Sequence, residues 1–385
     1  MIKTPPVPWT NHHIKLALSK NIPVEVDASL FFQLCKNPII GITGTKGKTT
    51  TASLIFQILK LAGKNPVKVG VGQVAVLDKL DELKKDSLVV FELSSWRLAS
   101  LGRAKISPQI AVWTNLFPDH LNYYKSMETY KKDKQQIINY QKPEDAAIIN
   151  WDQEVLRSLE GEIKSKLIKF SALTNFGENS VYVKDEAIFW QEGEEARKIL
   201  DISEIKLKGK HNIGNVLAAC GAAIAAGVSL EKIRKAVAEF SGIPHRLEMV
   251  RKMNGVTYYN DTSATNPESA IAGINSFTEP IVLIAGGSDK NLKVDELARV
   301  IAEKIKETIL IKGNATTKVL DEFKKMGIRK NFPVVDSMEK AVSLAREIAK
   351  DGDVVLLSPG AASFGVFKNE FDRGNQFKEI VGKLK

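Results

Sequence analysis

The chain reads as an α/β protein built on mostly parallel sheets. Short apolar runs alternate with amphipathic helical patterns along most of its 385 residues. The polar residues that stand out fall at the carboxyl ends of those runs, where parallel sheets place their ligands. One glycine-rich turn, Gly41–Thr50 (GITGTKGKTT), joins an apolar run to a helical pattern. A chain of this length should make two or three domains.

The elements follow in order. PPVPW is a loop, His13–Ser19 a helix and Ile22–Val26 a strand. These first 37 residues are too few for a domain of their own. Strands are then predicted at Ile39–Thr43, Leu88–Leu93, Ile110–Asn115 and Ala146–Asn150, with a helix from Ala52 to Leu61. The span Lys164–Leu207 differs. Its short alternating pieces, Ser180–Lys184 and Ala187–Gln191, predict a small antiparallel β extension. An Ala-rich helix, Asn215–Ala226, comes next, and Ser241-Gly242-Ile243-Pro244 breaks the pattern as a domain boundary. Beyond it, strands are predicted at Val256–Tyr259, Ile281–Ala285, Thr308–Ile311 and Val354–Ser358. The helices Val294–Lys304 and Ser337–Lys350 lie between them.

Composition excludes several classes. Hydrophobic residues make up 44% and charged residues 26%, as in ordinary globular proteins. No apolar run is long enough to span a membrane, and MIKTPPVPWTNHH has no signal-peptide pattern. Cys35 and Cys220 are far apart in apolar contexts, which fits buried thiols in a reducing cytoplasm rather than a disulfide framework. The formal net charge is +10, but its lysines are spread out and form no basic-aromatic platform for nucleic acid. A mild basic excess suits small polyanions such as nucleotides.

The glycine-rich turn carries the first chemistry. Glycines let backbone N–H groups close on phosphate oxygens, and a helix start favours anions. Gly44, Thr45, Lys46, Gly47 and Thr50 form the cradle, Lys48 faces the phosphates and the Thr49 hydroxyl is placed to hold Mg²⁺. The usual G-x-x-x-x-G-K-[ST] spacing wants glycine at 42, where Ile42 stands. Glu92 ends the apolar run VVFEL, where a carboxylate either binds a metal or caps a helix. Asp119 and His120 follow the strand and proline turn of TNLFPDH; as a ligand to a hard cation, histidine would be unusual.

Taken together, GITGTKGKTT, ELSSW, TNLFPDH, KHNIGN, GIPHRLE, NDTSATN and SPGAASF, in this order, resemble the Mur ligase family. Its members are ATP-dependent amide-forming ligases of peptidoglycan precursor synthesis, and hence serve cell-wall biogenesis, cell shape and division. The family's P-loop is of the G-T-x-G-K-[TS] type, which accounts for Ile42. Within the family, ELSS and SPGAASFGVFKNEFDRGNQF are similar to the members that add D-glutamate to UDP-N-acetylmuramoyl-L-alanine.

The resemblance implies a central P-loop-type ATPase domain at 38–242, a C-terminal Rossmann-like α/β domain at 243–385, and at 1–37 only the last part of an N-terminal UDP-binding domain. It implies an acyl-phosphate mechanism. Lys48 and Thr49 would hold phosphates and Mg²⁺. Glu92 and His120 match metal positions, and Lys134, carbamylated, would hold a second Mg²⁺. Carbamylation needs an unprotonated amine, hence a lowered pKa. Asn215, His245, Arg246 and Asp261 match nucleotide-binding positions. Ser94 and Ser95, with Thr265, Lys290 and Ser363, match substrate positions, the last three for D-glutamate.

Three departures bear on the amino-acid pocket: Ser263 where the family usually has lysine, Gly72-Gln73 for a glycine-asparagine pair, and Glu370-Phe371 for the common phenylalanine-glutamate order. With so little of the UDP-binding domain, substrate KM should rise or turnover be lost. The expected partners are small molecules, with neither nucleic acid nor membrane, and the expected state is a monomer or a chain completed by a separate UDP-binding domain. Another ligase of the Mur and folylpolyglutamate synthetase superfamily, or an inactive nucleotide-binding module, are the competing expectations.

Overall fold

A computed structural model describes residues 1–71, 74–207, 209 and 211–384, with backbone alone for Leu121 and Asn122. The departure noted at Gly72-Gln73 lies outside the described residues. Two compact units separate. One holds Met1–Lys206 and the described residues onward to Phe240; the other holds Ser241 to Leu384 with Leu207 and Gly209.

The first unit carries β1 (Ile39–Thr43), β2 (Asn65–Val69), β3 (Ser87–Glu92), β4 (Ile110–Trp113), β5 (Ala146–Asn150), β6 (Lys166–Ser171), β7 (Ser180–Lys184), β8 (Ala187–Glu192) and β9 (Glu195–Asp201). They form a nine-stranded sheet in the order β2-β3-β1-β4-β5-β6-β7-β8-β9. Pairing is parallel from β2 through β7 and antiparallel from β7 to β9. The antiparallel extension is therefore continuous with the central sheet, joined through β6. β1 is buried along its whole length, as a central parallel strand with both faces covered must be. β2 carries Pro66 and stands at the sheet edge, the position proline tolerates. The core gathers Val89, Phe91, Trp113, Ile149 and Leu101.

The predicted strand Ile22–Val26 does not form. Glu25 makes only a bridge to Ile2. Pro23 has no N–H to give a ladder, and Val26 N instead donates to Ser29 Oγ at 2.9 Å, opening a helix at Asp27–Leu34. The helix predicted from Asn215 begins earlier, at His211, and runs to Ala225.

The second unit carries β10 (Glu248–Met253), β11 (Val256–Asn260), β12 (Ile281–Gly286), β13 (Glu307–Ile311), β14 (Val334–Val335) and β15 (Val354–Leu357). Their order is β10-β11-β15-β12-β13-β14. All pairs are parallel except β10 with β11. Separate apolar clusters cover the two faces, one around Leu283, Leu310 and Leu356, the other around Ile284, Ile309 and Phe377. β15 lies between β11 and β12, so the loops after these three strands meet at one end of the sheet.

Candidate active site

In the first unit the phosphate loop sits between β1 and the helix Lys48–Leu61. Gly47 adopts φ 83° as the residue before the helix. A Cβ there would run into Asn215 Oδ1, and one at Gly44 into Thr114 Oγ1. Both positions therefore require glycine, for a positive φ and for close approach alike. Neighbouring strand ends hold the loop in shape: Thr45 N donates to Asn115 O at 3.1 Å. Lys46 N donates to Asn115 Oδ1 at 2.9 Å, and Phe117 N donates to Thr45 Oγ1 at 2.9 Å. Lys48 Nζ rests on the loop's own carbonyls, Gly44 O at 3.0 Å and Thr45 O at 3.2 Å. Thr50 is buried on the helix's first turn.

Glu92, at the end of β3, accepts a hydrogen bond from Thr49 Oγ1 at 2.8 Å. Hydroxyl and carboxylate therefore meet at the foot of the loop, an oxygen pair of the kind a hard divalent cation takes. Lys134 is 1% exposed on the helix Met127–Gln135. Its ammonium donates to Gly44 O at 2.9 Å and Thr43 Oγ1 at 3.3 Å. Burial, reinforced by the Lys48 charge, pushes its pKa down to about 7.

His120 has φ 53° and stands half exposed beyond the loop. Its ring centroid is 4.7 Å from that of Trp96, and its Nε2 lies 3.8 Å from Asp119 Oδ2. Tyr130 connects these groups. Its ring meets His120 edge-on at 6.3 Å, the Lys134 Nζ lies 4.9 Å from its centroid, and its hydroxyl is 3.4 Å from Thr45 Oγ1. Sequence reading missed Tyr130; the available signal was its place four residues before Lys134 on one helix face. Among the described residues no three His, Cys, Asp or Glu side chains gather to hold an ion by themselves.

Ser94 caps the helix Ser95–Ala104 by accepting from Arg97 N, and Ser95 is buried at its start. Asn215 packs against the phosphate loop, with Thr51 Oγ1 donating to its Oδ1 at 3.4 Å. Its Nδ2 donates to Asn212 Oδ1 at 2.8 Å, one turn earlier on the same helix.

In the second unit His245 is buried at φ 68°, its Nδ1 3.0 Å from Asn260 Nδ2. Burial lowers its pKa. Arg246 beside it is exposed. Asp261 follows β11 and accepts from Ser358 Oγ at 2.7 Å and Leu247 N at 3.2 Å. Burial raises its pKa to about 7 against the pull of those bonds and of the Arg246 charge. Lys290 Nζ donates to Thr265 Oγ1 at 3.1 Å, bringing two predicted amino-acid ligands together. Ser363 is buried on the loop after β15.

A glycine-rich loop with a lysine and two hydroxyls at a helix start, backed by a carboxylate at the next strand end, defines a P-loop nucleotide-dependent enzyme. Two family models match, the Mur ligase middle domain over residues 42–223 and the Mur ligase glutamate ligase domain over 245–360. The chain belongs to the Mur ligase family. It is 40% identical over 395 aligned residues to the UDP-N-acetylmuramoylalanine–D-glutamate ligase of Roseiflexus sp. (strain RS-1), covering 99% of this chain and 84% of that protein. It is also 40% identical to the enzyme of the same name from Acetivibrio thermocellus, over 100% of this chain and 82% of that one. In fold it is similar to the UDP-N-acetylmuramate–alanine ligase of Thermotoga maritima, with TM-score 0.66 at 19% identity over 100% of this chain and 85% of that one. The MurF ligase of Thermotoga maritima in complex with ADP gives TM-score 0.61 at 19% identity, over 93% of this chain and 84% of that one. Among the described residues no helix is long and apolar enough to cross a membrane.

Proposed function

We propose that the chain joins D-glutamate to UDP-N-acetylmuramoyl-L-alanine with cleavage of ATP, in peptidoglycan precursor synthesis. The observation that carries this is 40% identity along essentially the whole chain to ligases of that name, with the P-loop machinery intact. The reading takes residues 1–37, 38–242 and 243–385 as its domains, and a monomer in the cytoplasm as its working state.

The substrate carboxylate is a poor acyl donor. Attack of its oxygen on the γ-phosphorus gives an acyl phosphate and releases ADP. The D-glutamate amine then attacks the acyl carbon, loses a proton, and expels inorganic phosphate. Catalysis of such a transfer is positioning and charge stabilisation. Residues Gly44–Thr50 hold the phosphates, with Lys48 exchanging its carbonyl contacts for phosphate oxygens. Asn215, His245, Arg246 and Asp261 bind the nucleotide. Ser94 and Ser95 line the acceptor's path, and Thr265, Lys290 and Ser363 take the amino acid, the Lys290 charge pairing with a carboxylate.

Mg²⁺, when bound, would neutralise phosphate charge. Thr49, Glu92, His120 and Lys134 are the residues proposed to hold it, Lys134 as a carbamate. Support for the carbamate is physical: burial lowers the Lys134 pKa to about 7, so a large share of the amine is free to react with CO₂ near neutral pH.

The test is phosphate release with UDP-N-acetylmuramoyl-L-alanine, ATP and a panel of amino acids, with and without bicarbonate. D-Glutamate should be strongly preferred. ATP binding with no phosphate release for any pair would overturn the enzymatic reading.

A further inference from the structure

The second unit holds a buried cation that none of these roles uses. Arg373, on the helix Glu370–Lys383, is 0% exposed. Its Nε donates to Thr262 Oγ1 at 2.9 Å, one Nη to Ala361 O at 3.2 Å and the other to Thr262 O at 3.0 Å. Every one of these acceptors is neutral. Among the described residues no carboxylate is in ion-pair contact with it; the Glu370 charge acts on it only from farther off and offsets part of the effect of burial. Burial lowers its pKa to about 10, so it remains charged at neutral pH. A desolvated charge without an opposite charge is costly, and an apolar side chain of similar volume commonly serves stability as well or better. Packing alone therefore does not explain an arginine at this position.

Its acceptors lie on two loops at the carboxyl end of the sheet, 261–266 and 358–364. These loops are laced to each other and to the loop after β12. Gly360 N donates to Ala264 O at 2.9 Å, and Ser288 and Ala362 exchange both backbone bonds, at 2.9 and 3.0 Å. The first loop carries Thr265, the second Ser363, and the third Lys290, whose ammonium sits on Thr265. Thr262 Oγ1 also donates to Glu370 O, tying the first loop to the start of the arginine's own helix.

We propose that Arg373 is a positioning residue for the amino-acid substrate, clamping the 261–266 and 358–364 loops and leaving behind them a positive charge without a contact ion pair that favours an acidic over a neutral amino acid. This rests on the reading that these loops take D-glutamate. The contribution is electrostatic preorganisation: the charge is fixed before the ligand arrives and is not screened by bulk water.

The experiment compares wild type with Arg373→Met and Arg373→Lys. Phosphate release is measured against D-glutamate, ATP and the isosteric neutral D-glutamine. Arg373→Met should raise the KM for D-glutamate at least tenfold, leave the KM for ATP within twofold, and shrink the D-glutamate over D-glutamine preference in kcat/KM about tenfold. Arg373→Lys keeps the charge and should retain most of the preference while losing part of the clamp. Thermal melting and circular dichroism check folding. Should Arg373→Met not fold, Thr262→Val removes the hydroxyl that accepts from Arg373 and donates to Glu370 O, keeps the arginine charge, and should raise the D-glutamate KM severalfold while retaining most of the preference over D-glutamine. An unchanged preference in a folded variant, or equal loss for both amino acids, overturns the proposal. A wild-type enzyme that releases no phosphate with D-glutamate overturns the substrate reading, and this inference with it.

Discussion

Lys134 is an ammonium placed where an ammonium is poorly solvated, against Gly44 O and beside a second cation at Lys48. Replacing it with alanine should abolish turnover while leaving ATP binding, read by nucleotide titration, largely intact. In bicarbonate buffer, wild-type activity should climb as pH rises through 7, because only the free amine reacts; a flat profile would remove the carbamate. The Thr49 hydroxyl gives a second test. Thr49→Val loses the donor to Glu92 and should lower kcat by roughly a hundredfold and raise the magnesium needed for half-activity, whereas Thr49→Ser should stay within severalfold of wild type. Equal magnesium dependence in the valine variant would take Thr49 out of the proposed metal site.

The helix Met127–Gln135 brings Tyr130 and Lys134 to the phosphate loop, and its start is fixed by Ser126, whose side chain accepts from Thr129 N at 3.2 Å. Ser126→Ala should cost about 1 kcal/mol. Urea unfolding should report that loss, and the KM for ATP should change little. Elements such as this one also show what the chain discloses about itself. β1 and β5 were legible because short apolar runs bounded by turn residues leave little choice. β10 was not, because EMVRKM lacks a period-two pattern: it is an edge strand whose pairing shifts register between Met249 and Arg251. The helix Asp27–Leu34 hid behind Pro23, whose neighbours read as extended chain. In the site, the pairing of Lys48 and Thr49 with a phosphate loop was legible from the glycine-rich turn, whereas Glu92 stayed open between a metal and a helix cap until the hydrogen-bond geometry set it against Thr49. Tyr130 and Arg373 were not. Their partners, Thr45 and Thr262, are 85 and 111 residues away, and only the fold brings them together.

For the whole molecule, two buried titratable groups act in opposite directions on either side of neutrality. Lys134 has a folded pKa of about 7, below its ordinary 10.5, so between those values the unfolded chain binds more protons and stability rises with pH. Asp261 has a folded pKa of about 7, above its ordinary 3.8, so between 3.8 and 7 the folded chain binds more protons and stability falls as pH rises. Their joint contribution is therefore least favourable near pH 7. Each group supplies a slope of up to about 1.4 kcal/mol per pH unit within its window. Urea midpoints of the ligand-free protein in bicarbonate-free buffer, from pH 5 to 9, should pass through a minimum near pH 7. In Lys134→Met the alkaline arm should flatten, and in Asp261→Asn the acid arm. A wild-type arm that survives in both variants would mean that other groups set the pH profile.

Gly47 meets Asn215 with no room for a methyl group between them. The two positions are separated by most of the first unit's chain, yet they share one small volume. Substitutions at the two positions should therefore be energetically coupled. Asn215→Ala alone should lose the contact with Thr51, and Gly47→Ala alone should drive a methyl group into Asn215. In a double-mutant cycle the change at 215 should relieve the clash but not the strain of a side chain at φ 83°, so the double variant should recover only part of the lost stability.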